Sequence, residues 1–256
     1  MSEPGRETAR RYVLAILAHV ALLVAWYLFV TLGDVPKFVM PSPGATLDAL
    51  LQPNYSWWTN VSVTATEIFG GYFLALVGGV ALALAFTWSK TLESFVLPVL
   101  VSLNMIPKVA LGPLIIVWFK YGVFPNTIMA FSICVFPILL TTARGLREVE
   151  PELLDLVRSL KGSRWQLFTK VQLPGSLPYI FAGMKVAAIL AVAGAIVGEF
   201  LGSDKGLGYL MLQVQVTLDT PAMFMAVILI TLIGMILYGS VLLLERFLVP
   251  KDARIA

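Results

Sequence analysis

Long uncharged runs constrain this chain more than any other feature of its sequence. Tyr12–Gly33 contains no Asp, Glu, Lys or Arg, and Val61–Trp88 contains only Glu67. A helix needs about 20 apolar residues to cross the hydrocarbon core of a bilayer. The whole chain is 59% hydrophobic and only 13% charged, whereas soluble domains carry roughly 25% charged residues. We therefore expect an all-α integral membrane protein.

Six segments have the length and composition of membrane-spanning helices. They are Tyr12–Gly33, Val61–Trp88, Ser94–Phe119, Gly122–Ala143, Pro178–Gly198 and Ala222–Leu244. The third contains three prolines, which remove helical hydrogen bonds, so we expect it to break near Asn104–Lys108. The fifth carries Lys185, whose long side chain is expected to reach toward the cytoplasmic face.

The positively charged residues predict the orientation. With six spans and a cytoplasmic N-terminus, thirteen Lys and Arg residues fall on the cytoplasmic side and three on the outer side. Lys and Arg are enriched in cytoplasmic loops. We therefore place both termini in the cytoplasm and interpret Arg10-Arg11 as an anchor of the first span rather than an export signal. The segment 144–176 becomes the longest cytoplasmic loop.

The composition argues against several classes of function. The chain has one cysteine, Cys134, and one histidine, His19, each inside an apolar run. The sequence therefore contains too few cysteine and histidine residues for an intrachain disulfide, a His-based catalytic triad or a His/Cys metal site. The net charge of +3 is too small and too spread to indicate nucleic acid binding. We predict no catalytic and no metal-binding residues.

The second span carries two features with open interpretations. Small residues recur at every fourth position, namely Gly71, Ala75, Gly79 and Ala83. Such a ridge lets another helix approach closely, either within the chain or across a dimer seam. Glu67 lies about two turns into the span. A carboxylate there is costly and faces protein or water, so it is either a pathway residue, a structural hydrogen-bond partner or part of a wet crevice.

The loop 144–176 predicts a first helix with one apolar face. Pro151 and Glu152 suit the first turn of a helix. Apolar residues then recur at helical spacing at Leu153, Leu156, Val157 and Leu160. Glu152, Asp155 and Arg158 lie off this face.

A tight turn and a second helix are expected to follow. Gly162 suits the left-handed position after a helix end. Ser163 and Gln166 have the spacing of a capping box, and the second helix should stop before Pro174, leading directly into the fifth span. Two interpretations stay open: a rigid bracket that a soluble partner moves, or an amphipathic hairpin on the membrane surface.

This loop resembles the signature cytoplasmic loop of permease subunits of binding-protein-dependent ABC importers. That pattern reads Glu-Ala-Ala, three residues, Gly, nine residues, Ile, one residue, Leu-Pro. Here its positions are filled by Asp155, Leu156-Val157, Lys161, Val171 and Leu173-Pro174. The sequence departs from the pattern at the alanine pair and at the glycine, because Lys161 takes that position and Gly162 follows it.

Further segments resemble the nitrate/sulfonate/taurine-type branch of these permeases, and members that import pyrimidine vitamin precursors look similar. The segments are "PSPGAT", "MIPKVALGPLIIVWFKYG" (Met105–Gly122), "SRWQLFTKVQLPGSLPYIFAGMKVA" (Ser163–Ala187) and "VGEFLGSDKGLGYL" (Val197–Leu210). The resemblance implies a type I ABC importer permease fold in the bacterial inner membrane. It also implies a homodimer of this chain, two ATP-binding subunits and a periplasmic or lipid-anchored solute-binding protein.

The expected domain division follows from this resemblance. Residues 1–60 would form the N-terminal tail, the first span and a periplasmic segment, and 61–256 the core permease domain with its coupling loop at 144–176. No Gly-x-x-x-x-Gly-Lys-Ser/Thr phosphate-binding loop occurs in the sequence. We therefore expect no enzyme activity and no cofactor in this chain, with ATP and Mg²⁺ bound by the partner subunit.

Two sets of site residues follow. The residues expected to couple to the ATPase are Glu152, Asp155, Leu156, Arg158, Gly162, Arg164 and Trp165. The residues expected to line the solute pathway are Glu67, Asn104, Met105, Pro107, Lys108 and Glu199. Glu199 has an alternative role in a salt bridge with Lys205, and Gly202–Thr220 predicts either a short outer helix or an ordered loop.

The expected function is ATP-driven import of a small polar or anionic solute, such as a sulfonate, nitrate, taurine or a pyrimidine vitamin precursor. The alternative is a secondary transporter driven by an ion gradient. Such a protein would need intramembrane acids that form a relay, and only Glu67 and, marginally, Glu199 qualify.

Overall fold

The computed structural model describes residues 3–148, 151–250 and 253–254. This part of the chain is helical and contains no strand. The helices are α1 Glu3–Leu32, α2 Pro43–Asp48, α3 Trp57–Trp88, α4 Lys90–Met105, α5 Lys108–Phe119, α6 Val123–Gly145, α7 Pro151–Ser159, α8 Arg164–Leu167, α9 Leu173–Gly202, α10 Leu207–Val216 and α11 Thr220–Leu248. Two 3₁₀ turns, Ala49–Leu51 and Pro53–Tyr55, precede α3, and a π-helical turn, Phe168–Gln172, joins α8 to α9. The predicted all-α class is confirmed.

Four helical segments among the described residues are long and apolar enough to cross a membrane. They are Pro53–Trp88, Val123–Gly145, Arg164–Gly202 and Thr220–Leu248. The pair α4 and α5 adds a fifth if it is counted as one span, and its two helices meet at an angle of 89°. The third predicted span is therefore broken, as its prolines indicated. The shorter apolar segment Ile16–Leu32 lies within α1, so the six-span count stays a prediction.

The chain divides into two compact units. The smaller combines Met1–Trp57 with Leu210–Ile228, and the larger combines Trp58–Tyr209 with Leu229–Ala256. In the smaller unit, the indole N–H of Trp26 donates to the carbonyl oxygen of Pro41 at 3.0 Å. The sequence analysis divided the chain at residue 60 on functional grounds, and that division stays a prediction.

In the larger unit, α6 packs between α3 and α9, and glycines make the close approach possible. A Cβ added at Gly71 in α3 would lie 2.4 Å from the Cβ of Ala130 in α6. One added at Gly194 in α9 would lie 2.7 Å from the Cα of the same alanine. The ridge Gly71, Ala75, Gly79 and Ala83 is buried along its whole length. It therefore serves packing within the chain rather than a dimer seam.

An ion pair links α9 and α11 in the larger unit. Lys185 Nζ lies 3.2 Å from Glu245 Oε1, and both side chains are largely shielded from solvent. The sequence did not reveal this partner, and the expectation that Lys185 reaches toward the cytoplasmic face stays a prediction. An ammonium group inside an apolar bundle is costly unless an opposite charge lies beside it, and Glu245 provides that charge.

Candidate functional site

The helical bracket, residues 151–172, presents apolar side chains that the described part of the chain leaves largely exposed. The exposed fractions are 41% for Leu153, 53% for Leu156, 74% for Leu160 and 63% for Trp165. Leu153 and Leu156 lie on α7, Leu160 directly follows its last residue, and the three keep the helical spacing seen in the sequence. Clustered exposed apolar side chains rimmed by charged residues are typical of an interaction surface.

A Schellman turn ends α7, with one difference from the sequence prediction. The Gly162 N–H donates to the carbonyl oxygen of Val157 at 2.9 Å, which is the bond that defines this turn. The left-handed residue is Lys161, with φ of 55°, and not Gly162. The sequence prediction at Gly162 is wrong by one place because α7 already ends at Ser159.

Gly162 is required for a different reason. A Cβ at this position would lie 2.6 Å from Val157 Cγ1 and 3.0 Å from the carbonyl oxygen of Val157. The chain must pass this close to α7 to close the turn. Lys161 occupies the position where the resembling permeases carry glycine, and its positive φ explains why glycine suits that position.

We expect the substitution Lys161→Gly to stabilise the bracket. A left-handed residue with a Cβ costs roughly 1 kcal/mol, which glycine avoids. The apparent melting temperature of the detergent-purified protein should rise slightly. Lys170→Gly is the matched control, because glycine inside a helix costs about 1 kcal/mol relative to alanine, and it should lower the melting temperature. A lower melting temperature for Lys161→Gly would contradict the assignment of the strained position.

The predicted capping box is confirmed. The Ser163 N–H donates to Gln166 Oε1 at 2.8 Å, and the Gln166 N–H donates to Ser163 Oγ at 3.2 Å. The prediction that the second helix stops before Pro174 is wrong, because the chain passes through the π-helical turn into α9 without a break. A proline in a regular helix removes one bond and crowds the preceding turn, and the wider π-helical turn lies where that crowding would occur.

The bracket is fixed to the bundle through Phe168. This side chain is buried with Phe86, Leu139 and Leu146 in one apolar cluster. The rings of Trp88 and Trp165 lie 5.7 Å and 5.8 Å from the Phe168 ring, centroid to centroid. The bracket is therefore joined to α9 by continuous helix and to the core by aromatic packing.

Ion pairs hold the segment that enters the bracket. Arg147 pairs with Glu93 at the start of α4. Arg144 Nε lies 3.0 Å from Glu148 Oε2. The hydrogen bonds from Arg144 lower the pKa of the Glu148 carboxyl below its usual value. These contacts connect the end of α6 to α4 just before the bracket begins.

The structure brings the predicted coupling residues together on the bracket. Glu152, Asp155, Leu156, Gly162, Arg164 and Trp165 are all exposed there. The backbone of Arg158 lies in α7, and its side chain lies outside the described part of the structure. Their contact with an ATPase stays a prediction.

A second candidate site is the buried polar cluster, formed by Asn60, Thr64, Glu67, Asn126 and Glu199. All five side chains are at most 7% exposed. Glu199 is its centre: Oε1 accepts from the Thr64 hydroxyl at 2.5 Å, and Oε2 accepts from the Gly208 N–H at 2.5 Å. The Tyr209 N–H lies 3.3 Å from the same Oε2. The alternative pairing of Glu199 with Lys205 is not found among the described contacts, since Glu199 is enclosed while Lys205 is exposed.

The buried polar cluster caps the start of α10. The Gly206 N–H donates to Asn60 Oδ1 at 2.8 Å, and the Leu207 N–H donates to Thr64 Oγ1 at 2.8 Å. The first N–H groups of a helix have no partner within the helix. Side chains from α3 and α9 supply those partners here, and the Glu199 carboxyl lies where the helix dipole favours negative charge.

The glycines around this cluster explain the segment "VGEFLGSDKGLGYL". A Cβ at Gly206 would lie 2.4 Å from the Glu199 carboxyl carbon, and Gly206 has φ of +113°. A Cβ at Gly198 would lie 2.8 Å from Asn126 Oδ1. Only glycine fits between these polar groups. Of the two alternatives for Gly202–Thr220, the short helix is confirmed, because the segment contains α10, Leu207–Val216.

Glu67 belongs to the same cluster. Its Oε1 accepts from Asn126 Nδ2 at 2.9 Å, and its carboxyl lies beside that of Glu199. This environment favours the structural hydrogen-bond role over the wet crevice. A pathway role for Glu67 and Glu199 stays a prediction.

The remaining predicted pathway residues lie at the break between α4 and α5. Asn104, Met105 and Pro107 are exposed, and Lys108 is half-buried. Lys108 Nζ donates to the carbonyl oxygen of Leu103 at 3.2 Å, which satisfies an acceptor at the end of α4. Sequence reasoning missed Asn60, Thr64 and Asn126; a signal for the first two was available, because they lie with Glu67 at helical spacing on an apolar span.

Comparison with known proteins agrees with this architecture. The family described as "Binding-protein-dependent transport system inner membrane component" matches residues 75–250. A chain in an inward-facing structure of the MetNI methionine ABC transporter has a TM-score of 0.55 and 20% identity, covering 72% of this chain and 94% of that one. At this identity the match shows the fold alone, and it confirms the predicted permease fold.

Curated relatives cover most of the chain. A probable ABC transporter permease protein of Haemophilus influenzae is 36% identical, over 89% of this chain and 93% of the relative. The riboflavin transport system permease protein RibX of Chloroflexus aurantiacus is 37% identical, over 91% and 87%. The formylaminopyrimidine transport permease protein ThiX of Halalkalibacterium halodurans is 30% identical, over 90% and 92%.

More distant relatives are named for transport of aliphatic sulfonates, taurine and nitrate, at 24–29% identity. They confirm the resemblance stated from the sequence motifs. One family accounts for the helical bundle, the bracket and the extent of these matches. The chain belongs to the family of inner membrane components of binding-protein-dependent transport systems, and it is a multi-pass permease of an ABC importer.

Proposed function

We propose that this permease forms the membrane path of an ATP-driven importer of a small polar heterocyclic solute, with ATP hydrolysed on a separate subunit. The observation that carries the proposal is the helical bracket. It joins an exposed apolar surface to a membrane-spanning helix through continuous helical backbone. A soluble partner that grips this surface can therefore move α9.

The exposed side chains favour a protein partner over a lipid surface. Leu156 and Trp165 stand on two different helices of the bracket, separated by a turn that hydrogen bonds fix. Tryptophan is enriched among residues that dominate binding energy at protein interfaces. The absence of a phosphate-binding loop in the sequence supports an ATP-binding partner, since the energy for uptake must then come from another chain.

The rest of the assembly follows from the family. A binding-protein-dependent system takes its solute from a separate binding protein, which we propose docks on the outer side of the membrane. We further propose that two copies of this chain enclose the path in the bacterial inner membrane. Closure of the paired ATPases would swing the two brackets, and the spans would alternate between outward-open and inward-open arrangements.

The names of the relatives support a heterocyclic solute. RibX and ThiX, named for riboflavin and formylaminopyrimidine transport, are 37% and 30% identical to this chain. The relatives named for sulfonate, taurine and nitrate transport are 24–29% identical. We therefore propose a pyrimidine-like or flavin-like compound rather than a small inorganic anion.

One observation favours the alternative of a gradient-driven transporter. The carboxyl groups of Glu67 and Glu199 lie side by side in the bundle, and paired intramembrane acids occur in proton relays. Both are also engaged in hydrogen bonds that position α6 and α10. Because these hydrogen bonds give both carboxyl groups a structural role, the helical bracket is the better-supported functional feature.

Uptake into proteoliposomes separates the two functions. The complete complex, purified with its ATP-binding subunit and binding protein, should accumulate labelled riboflavin or a labelled formylaminopyrimidine only when ATP is enclosed. A protonophore should leave the initial rate within about twofold of the control. Uptake that needs no ATP and collapses with the protonophore would contradict the proposal and favour the gradient-driven transporter.

A further inference from the structure

We propose that the cavity at the α4–α5 break is a binding subsite for a flat, polar heteroaromatic solute of pyrimidine or flavin type. This inference rests on the proposed import function and adds the place and the chemistry of recognition. The cavity has a volume of about 440 Å³ and lies between the broken helix pair and α6. Pockets for small molecules typically measure about 300–1,000 Å³, so the space suits such a solute.

Three polar side chains line this cavity. Lys108 uses Nζ to donate to the Leu103 carbonyl, and an ammonium group carries three donors in total. Within the described part of the chain, the structure gives the Asn104 amide no hydrogen bond. The Ser132 hydroxyl donates to the Met129 carbonyl at 2.8 Å, and its oxygen is able to accept. Together they offer donors and acceptors to the edge of a heterocycle.

Aromatic side chains form much of the remaining wall. Trp118 of α5 and Phe131 and Phe136 of α6 all line the cavity. Trp118 is 66% exposed, so much of its indole surface is uncovered. Planar rings stack on such faces, typically with centroids about 4.5–7 Å apart. A few convergent polar groups within an apolar, aromatic lining are the usual composition of a small-molecule site.

Other occupants fit this chemistry less well. A lipid acyl chain would cover the Asn104 amide and the Lys108 ammonium without giving them hydrogen bonds, which is costly. Nitrate or a sulfonate would use the polar groups alone and leave the aromatic walls without a matching surface. A heterocycle uses the aromatic walls and the polar groups at once. The break itself supplies the space, because α4 and α5 turn away from each other by 89°.

Single cysteines can test this subsite. The chain contains one cysteine, Cys134, which is fully buried, so Cys134→Ala gives a cysteine-free background. Asn104→Cys and Ser132→Cys are introduced separately into this background, in the complete complex without ATP. Each is labelled with a small, water-soluble thiol reagent, with and without millimolar riboflavin or formylaminopyrimidine. The control is Ser94→Cys, which lies on the same helix as Asn104, is exposed and does not line the cavity.

At least one heterocycle should slow labelling tenfold or more at positions 104 and 132, and neither should slow it at position 94. Equal labelling with and without both heterocycles at 104 and 132 would overturn the proposal. Protection by nitrate or taurine and by neither heterocycle would overturn the proposed solute class. Because the assay contains no ATP, its outcome is independent of the ATP-driven uptake that tests the proposed function.

A second substitution tests the stacking contact in the same assay. Trp118→Leu, combined with Ser132→Cys, should raise the concentration needed for half-protection at least fivefold. Trp118→Phe retains an aromatic face and should stay within about twofold of the tryptophan protein. Identical half-protection concentrations for the leucine and phenylalanine variants would overturn the role of Trp118.

Discussion

Replacing Glu199 with alanine is expected to destabilise the permease by at least about 3 kcal/mol. The substitution leaves the Thr64 hydroxyl and the N–H groups of Gly208 and Tyr209 without their acceptor. An unsatisfied buried donor costs about 1–3 kcal/mol, and the cluster is shielded from water that could replace the carboxylate. The start of α10 should loosen, and the apparent melting temperature of the purified protein should fall by several degrees.

Gly206→Ala should have a comparable effect through the same contact. The new Cβ would lie 2.4 Å from the Glu199 carboxyl carbon, at a backbone φ of +113° that residues with a Cβ rarely adopt. Because both substitutions break one set of hydrogen bonds, the double variant should be little worse than either alone.

Two controls isolate the contact from general effects of alanine. Glu152→Ala removes an exposed carboxylate, and Gly175→Ala adds a Cβ with no atom within 4 Å. Glu152→Ala should leave the melting temperature nearly unchanged, and Gly175→Ala, inside α9, should leave it unchanged or raise it slightly. If Glu199→Ala melts like Glu152→Ala, the buried polar cluster does not hold α10 and its assignment here is wrong.

Periodicity and composition predicted the features that depend on local physics. The length of the apolar runs predicted the long helices, since a helix in lipid must satisfy its own backbone. The prolines predicted the break near Asn104–Lys108, and Ser163 with Gln166 predicted the second capped helix of the bracket. Each depends on residues within a few positions of one another.

Local patterns could not predict contacts between distant parts of the chain. Thr64 and Glu199 are separated by 135 positions, so the sequence offered only the helical spacing of Asn60, Thr64 and Glu67 on one face. The ion pair of Lys185 was likewise not predicted, because its partner, Glu245, lies on another helix.

The turn of the bracket shows a smaller error of the same origin. Gly162 was predicted to be the left-handed residue because it is a glycine. In the structure, Lys161 has the left-handed conformation instead. Gly162 is needed instead for its approach to Val157, a steric contact that follows from where α7 ends. Residue type indicated that a turn occurs, and the end of the helix decided which residue carries the strain.

The substitution Leu156→Asp is expected to release the ATP-binding subunit. Leu156 is 53% exposed on the apolar face of α7, so the fold should persist. Burying a new carboxylate in an interface opposes association, and loss of a central apolar contact commonly costs about 2 kcal/mol or more. That corresponds to roughly a thirty-fold weaker complex.

A second variant, Gly162→Val, is expected to distort the same surface by changing the turn between α7 and α8. Gly162→Val places a Cβ 2.6 Å from Val157 Cγ1 and forces α7 and α8 apart. The charge-matched control is Ser159→Asp, which adds a carboxylate at an exposed position beside the apolar face. It should retain the partner, which would show that the effect of Leu156→Asp depends on its place and not on its charge.

The most direct measurement is affinity purification of the chain in mild detergent from its native cell, followed by quantification of the ATP-binding subunit that comes with it. The account predicts a stoichiometric ATPase with the unaltered chain and with Ser159→Asp. It predicts severe loss of that subunit with Leu156→Asp and Gly162→Val. An ATPase that stays bound to both of these variants, or a chain that purifies alone and transports alone in liposomes, would contradict it.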